Sequence, residues 1–288
     1  MKRHYLLLLT LLAIPAFSQI SVITGGSDNV QNKEIDQSTL RITYKATSVP
    51  NPQNTSNPQE DIVVLEIGEN DISRFYSDSK RRVDSLVQVA VQRNPSNIDI
   101  SALMKENGIS STGDPREVFT NYPKGKLSVT DHILTSSYIY EEDLAAISWK
   151  IEMKNKEILN YSCQKAVGNF RGRHYEAWFT PELPINNGPW KFKGLPGLIL
   201  EVRDSDNHYV FEAIGIEQTE TPILFPEKKY IKTNREELNK IRKRMNDDPM
   251  GLIQNAFPGG NVKVQIKGEA SNTPDKLPER PYNPIELE

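Results

Sequence analysis

One cysteine, Cys163, stands in 288 residues, which excludes an intramolecular disulfide and any zinc site built on two or more thiolates. Stability therefore has to come from packing. The flanks of Cys163 in LNYSCQKAV read as a strand, so the thiol is expected to be a small buried hydrophobe rather than a reactive group. Histidine is nearly as scarce, and none of His4, His132, His174 and His208 stands two to four residues from another, as a helical or hairpin metal pair requires. HExxH, GxSxG, the phosphate loop and the dinucleotide fingerprint are all missing. These gaps point away from an enzyme, and no metal and no cofactor is expected. A serine triad assembled from scattered residues stays open, because such groups meet in space and not in sequence.

Long apolar runs are also lacking, apart from one at the start. MKRHYLLLLTLLAIPAFSQ has a basic head at Lys2 and Arg3, an apolar stretch from Tyr5 to Pro15, and small side chains at Ala16 and Ser18. That is the grammar of a secretory signal, and the stretch falls short of the roughly twenty residues that span a bilayer. Residues 1–18 are therefore expected to be removed between Ser18 and Gln19, leaving residues 19–269 as one domain and 270–288 as a loose, proline-rich tail. The basic and acidic residues number 35 and 38, and losing Lys2 and Arg3 moves the net charge from −3 to −5. Such a chain has no bulk attraction for nucleic acid. No transmembrane segment is expected in the mature chain.

What is present is strand-like. In STLRITYKATS, residues 38–48, apolar residues alternate with Arg41, Thr43 and Lys45, the pattern of a strand with one wet face. Residues 50–60, rich in proline and asparagine, break it, and DIVVLEIGEN resumes as a strand. Residues 71–93 show spacings of three, four and seven, which predict a helix; a short helix and loop follow over 96–116. Pro123-Lys124-Gly125 reads as a hairpin turn. A meander is expected through the middle, with turns at Glu142-Asp143, Lys154-Asn155-Lys156 and Gly172, because strands joined so tightly must be antiparallel. Asp204 to Asn207 reads as another turn, only superficially a metal loop. Residues 234–247 form a second helix capped by Asn234, and residues 263–267 a last strand. The fold class expected is α+β: a curved, mostly antiparallel sheet, open like a half-barrel, covered by one or two helices.

Aromatic residues crowd between Tyr175 and Phe192. Arg171, Arg173, Trp178, Trp190 and Phe192 are the candidate ligand- or partner-binding residues, against the simpler reading that alternating aromatics pack the inside of a sheet. A binding protein should show an apolar cavity beside Trp178 or Trp190, and an enzyme should show convergent titratable groups in a cleft.

The segment GPWKFKGLPGLILEV, residues 188–202, contains GLPGLI at Gly194 to Ile199. This hexapeptide, with YSCQKA at 161–166 and FRGRHYEAWFTPELPINNGPWKFKGLPGLILEV at 170–202, resembles the GLPGLI family of exported Bacteroidetes proteins. The resemblance implies a periplasmic or outer-membrane-associated protein, sometimes encoded near TonB-dependent receptors, with a half-barrel like that of lipoprotein carriers. The expected role is a binding or accessory protein for an apolar ligand, a peptide or an outer-membrane, TonB-dependent-receptor-type partner. A hydrolase with an unrecognised site and a structural part of an envelope complex are the alternatives. Asp84-Ser85-Leu86 also resembles the O-glycan acceptor of exported Bacteroidetes proteins. Leu195-Pro196-Gly197-Leu198 is expected to be a type II turn, with Gly197 at positive φ.

Overall fold

The computed structural model describes residues 8–11, 31–93, 99–144, 146–249, 251–252, 263–266 and 281–288. Apart from Leu8–Leu11, the expected leader and its Ser18/Gln19 junction lie outside the described residues. Two short strands, β1 (Leu8–Leu11) and β15 (Lys263–Ile266), pair in parallel.

All other strands among the described residues join one 13-stranded sheet. β2 (Gln31–Ser48), β3 (Gln59–Gly68) and β4 (Ser73–Ser77) lead into helices α1 (Asp78–Arg93) and α2 (Ile100–Glu106). β5 (Glu117–Thr120), β6 (Lys126–Ile133), β7 (Ser136–Asp143), β8 (Lys150–Ile158), β9 (Tyr161–Phe170) and β10 (Arg173–Thr180) follow. After an irregular segment come β11 (Leu198–Asp204), β12 (Tyr209–Gln218), β13 (Pro222–Glu227), β14 (Tyr230–Lys232) and helix α3 (Arg235–Asp247). The strand order is β14-β7-β6-β5-β4-β3-β2-β12-β11-β10-β9-β8, with β13 added to β2; only β14 with β7 is parallel. The fold is α+β, with a curved, open, mostly antiparallel sheet and few helices, as the sequence leads one to expect.

Register puts the apolar residues on one face. Ile42, Leu65, Phe75, Val118, Val129 and Tyr140 follow one another as cross-strand partners from β2 to β7, and all are buried in the core. Each such side chain contributes about 1.5–3 kcal/mol by leaving water. The neighbouring row on the opposite face, Arg41, Glu66 and Arg74, is charged. α3 lies on the core face, where Leu238 is buried. Asn234 caps it, accepting a hydrogen bond from the Glu237 backbone N–H at 2.9 Å. α1 lies against the other face, with the Arg81 guanidinium 4.6 Å from the Tyr76 ring.

Two local expectations are corrected. Residues 73–77 are a strand rather than the start of a helix: Phe75 points to the core face and Tyr76 to the other, so burial on both sides imitates helical spacing. The helix starts where the Ser77 hydroxyl accepts from the Lys80 N–H at 2.9 Å. Lys154 to Lys156 lie within β8, the edge of the sheet, where charged residues guard an open edge. The turn falls instead at Leu159 and Asn160, both at positive φ (51° and 65°).

Residues 181–197 cross the core face. Phe192 is fully buried among the rings of Phe170, Tyr175 and Phe211. The turn geometry also differs from the expectation. Positive φ belongs to Gly194 (102°), while Gly197 is needed because a Cβ there would stand 2.1 Å from the Thr180 carbonyl oxygen. The last residues, expected to be loose, are a bound strap over 281–288, with Ile285 in the core.

Candidate functional site

The β11–β12 hairpin brings three donors together. Asp204, Asp206 and His208 each offer a ligand atom, and these atoms lie within 4.8 Å of one another. The hairpin turn is the one expected from the sequence, closed by the Asn207 N–H donating to the Asp204 carbonyl at 3.0 Å. Its pairing of a histidine with two carboxylates was not expected, because acidic residues in a row are ordinary turn chemistry. Asp204 is buried: its Oδ1 accepts from the Tyr209 N–H and its Oδ2 from Arg173 Nη1, both at 2.8 Å. Asp206 is exposed and His208 half-buried. A hard cation taking carboxylate oxygens and one imidazole suits this set, since each Asp204 oxygen keeps a second lone pair. The Arg173 charge leaves Asp206 and His208 as the main holders.

From Arg173 the polar groups continue along the core face to a second cluster. Lys191, almost fully buried, places Nζ 2.8 Å from Glu142 Oε1, 2.7 Å from Glu286 Oε1 and 2.9 Å from the Tyr140 hydroxyl. Burial alone pushes the Lys191 ammonium pKa down, but Glu286, Tyr140 and Glu142 outweigh it and hold the group above its ordinary 10.5. Burial raises the Tyr140 hydroxyl as well. Arg171 approaches Glu142 at 3.1 Å, and Arg235 of α3 approaches it at 3.6 Å. Glu286 Oε2, Arg171 Nε and Arg235 Nη1 are buried without a hydrogen-bond partner among the described residues. Both nitrogens stand 3.9 Å from that oxygen.

A third group borders these two. Arg242 of α3 donates to both oxygens of buried Asp131, at 2.6 and 2.8 Å, and Arg116 lies 4.5 Å from the Trp190 ring. Burial would raise the Asp114 carboxyl, but Arg116 and Arg242 hold it well below the ordinary carboxylate range.

Of the residues singled out in the sequence, Arg171, Arg173 and Trp190 meet here. Trp190 sits at positive φ (56°) and its Nε1 donates to Glu286 Oε1 at 3.0 Å. Trp178 does not join them: it lies on the opposite face of β10, with Nε1 on Glu176 and Lys156 4.4 Å from its ring. Phe192 is core. Ser85 is exposed on α1. Cys163 is buried, and burial pushes its thiol up to about 11, as suits an inert side chain. Lys191, Glu142, Glu286 and Arg235 were not anticipated; the one signal was a lysine set between Trp190 and Phe192.

The neighbourhood of Trp190 is thus lined by converging titratable groups. The sequence left enzymatic activity open but weighed against it, and that balance is corrected. The finding that overturns it is the approach of Asp204, Asp206 and His208, three donors of the kind that metal-assisted hydrolysis uses.

A family model described as a protein of unknown function (Porph_ging) matches residues 169–201, the stretch from β9 through the Gly194 turn into β11. No curated protein matches the chain. Two structures of PNGF-II, in P21 and C2 space groups, are similar at a TM-score of 0.50 each and 16% and 15% identity. Each likeness covers 73% of this chain but only 34% and 33% of PNGF-II, so the chain spans about a third of that protein's length. A LolA superfamily protein, NE2245 from Nitrosomonas europaea, is also similar, at a TM-score of 0.26 and 6% identity over 66% of this chain and 90% of that one. The fold is therefore similar to that of a part of PNGF-II.

Proposed function

We propose that the chain is an exported hydrolytic enzyme, with water activation at the β11–β12 hairpin and substrate held along the charged core face beside it. The observation that carries this reading is the approach of Asp204, Asp206 and His208 to within 4.8 Å, one hydrogen bond from Arg173. A divalent cation held by these donors would supply a bound water of lowered pKa and an electrophile for a carbonyl or glycosidic oxygen. Asp204 is the fixed member, oriented by Arg173 and the Tyr209 N–H; Asp206 and His208 reach into solvent. Arg173 Nη2 already donates to a carbonyl oxygen, that of Pro284, at 2.6 Å, so it is placed to polarise such an oxygen in a substrate. The likeness to PNGF-II supports the scaffold and not the reaction.

Asp206→Asn with His208→Ala removes the two solvent-facing donors without touching the core, so stability should stay within about 0.5 kcal/mol of the parent. Turnover of chromogenic ester, peptide and glycoside substrates, with calorimetry of zinc and calcium binding, provides the test. The parent is expected to turn over one class and the double variant none. A parent inert with and without added divalent cation, or a double variant as active as the parent, removes the hydrolase reading.

A further inference from the structure

The strap of residues 281–288 is held in the manner of a bound peptide. Three successive carbonyls are read by side chains of the sheet. Tyr209 donates to Asn283 O at 2.5 Å, Arg173 to Pro284 O at 2.6 Å, and both Arg173 and Tyr175 to Ile285 O at 3.2 Å. The Leu287 N–H donates to Arg171 O at 2.9 Å. Recognition of backbone in this way accepts any extended chain. Side chains then select: Ile285 enters the core, 3% exposed, and Glu286 meets Trp190 and Lys191.

The fit at Glu286 is incomplete. Among the described residues, its Oε2 and the facing Arg171 Nε and Arg235 Nη1 are buried with no hydrogen-bond partner, an expensive arrangement that a native contact seldom leaves open. Without the strap, Glu142 is the one carboxylate paired with Lys191, Arg171 and Arg235 among the described residues, and the surplus positive charge calls for an acidic side chain. We propose that this face is a groove for an extended polypeptide carrying an aliphatic residue followed by an acidic one, and that the strap is an intramolecular stand-in for that ligand. A partner peptide enters by displacing the strap. Its backbone then runs past Arg173 toward Asp204. The groove binds whether or not the hairpin is catalytic.

The probe is a fluorescein-labelled peptide of residues 282–288, YNPIELE, followed by anisotropy on the full chain. In the parent, the strap blocks the groove and the apparent affinity falls by the fraction of time the groove stands open. Ile285→Ala with Glu286→Ala in the full chain should bind the peptide about tenfold or more tighter than the parent. Glu286→Gln, isosteric and so able to fold, should show a smaller gain of about threefold. Lys191→Met added to either variant should reverse the gain, and a peptide with glutamine at the position of Glu286 should bind about tenfold more weakly. Affinity no greater in either strap variant than in the parent overturns the proposal, as does equal affinity for the glutamate and glutamine peptides. The readout is binding, so an inert hairpin would sink the hydrolase reading and leave this result standing.

Discussion

Gly194 and Gly197 stand three residues apart, and alanine at each is expected to fail for a different reason. At Gly197 a Cβ would lie 2.1 Å from the Thr180 carbonyl oxygen, 2.7 Å from its carbon and 3.1 Å from Pro181 Cα. All three are backbone, so no side chain can swing aside; the start of β11 has to move away from the end of β10. That motion strains the pairing of Leu198 with Thr180 and the hydrogen bonds from Leu198 N to Leu183 O and Ile199 N to Asn187 O, at 2.9 and 3.0 Å. Overpacking at about 1–3 kcal/mol and two weakened hydrogen bonds at about 1 kcal/mol each put Gly197→Ala at about 3–5 kcal/mol. At Gly194 the nearest atoms to a Cβ are 3.5 Å away, and only φ of 102° is at issue. The cost there is about 1–2 kcal/mol of backbone strain. Urea unfolding followed by tryptophan fluorescence resolves the two. With m near 2 kcal/mol/M, the midpoint should fall by about 1.5–2.5 M for Gly197→Ala and by less than about 1 M for Gly194→Ala. Equal losses, or the reverse order, would refute the argument that contact rather than φ demands glycine at 197.

Arg173→Ala removes the partner of buried Asp204 and, with it, the bonds to Asn283, Pro284 and Ile285. A buried charge left alone costs about 3–5 kcal/mol, so calorimetry should show a fall in Tm of about 10 °C; a fall under about 2 °C contradicts the reading of the pair as buried. Alkaline pH should destabilise the fold steeply. Burial pushes Tyr76 and Tyr209 up to about 12 and Tyr44 and Tyr175 higher still, and Lys191 is held above 10.5. Each group has a folded pKa above its unfolded one, so its contribution is complete below pH 10 and is lost as pH rises through the folded values. Tyrosinate absorbance should therefore rise in one cooperative step coincident with unfolding, and a gradual titration of all the tyrosines near pH 10 would show that they are not buried as described.

Alternation and turn chemistry carried most of the fold into the sequence. Leu40, Ile42 and Tyr44 announce β2, and Asn234 announces α3, because each feature depends on neighbours within a few residues. The strand at 73–77 was hidden because Phe75 and Tyr76 are buried on opposite faces, so its period of two disappears. The sites were less legible. Trp190 and Arg171 stand out by composition, but Glu142, Lys191, Arg235 and Glu286 come from four separate segments and meet only through the register of β7 and the docking of α3 and the strap. The Asp204 and His208 pairing is local in sequence, yet it reads as an ordinary hairpin loop until side-chain directions are known.

β2 joins two runs of strands, β3 to β7 and β8 to β12, in each of which neighbours in the sheet are also neighbours in sequence. Strands consecutive in the chain pair to build β3 to β7 on one side and β8 to β12 on the other, but Leu40 must find Gln218, and Ser48 must find Tyr209. Contacts between such distant residues form late and slowly. The seam closes only after the chain has emerged through β12, so a nascent chain held short of Gln218 has two unjoined half-sheets and no complete groove.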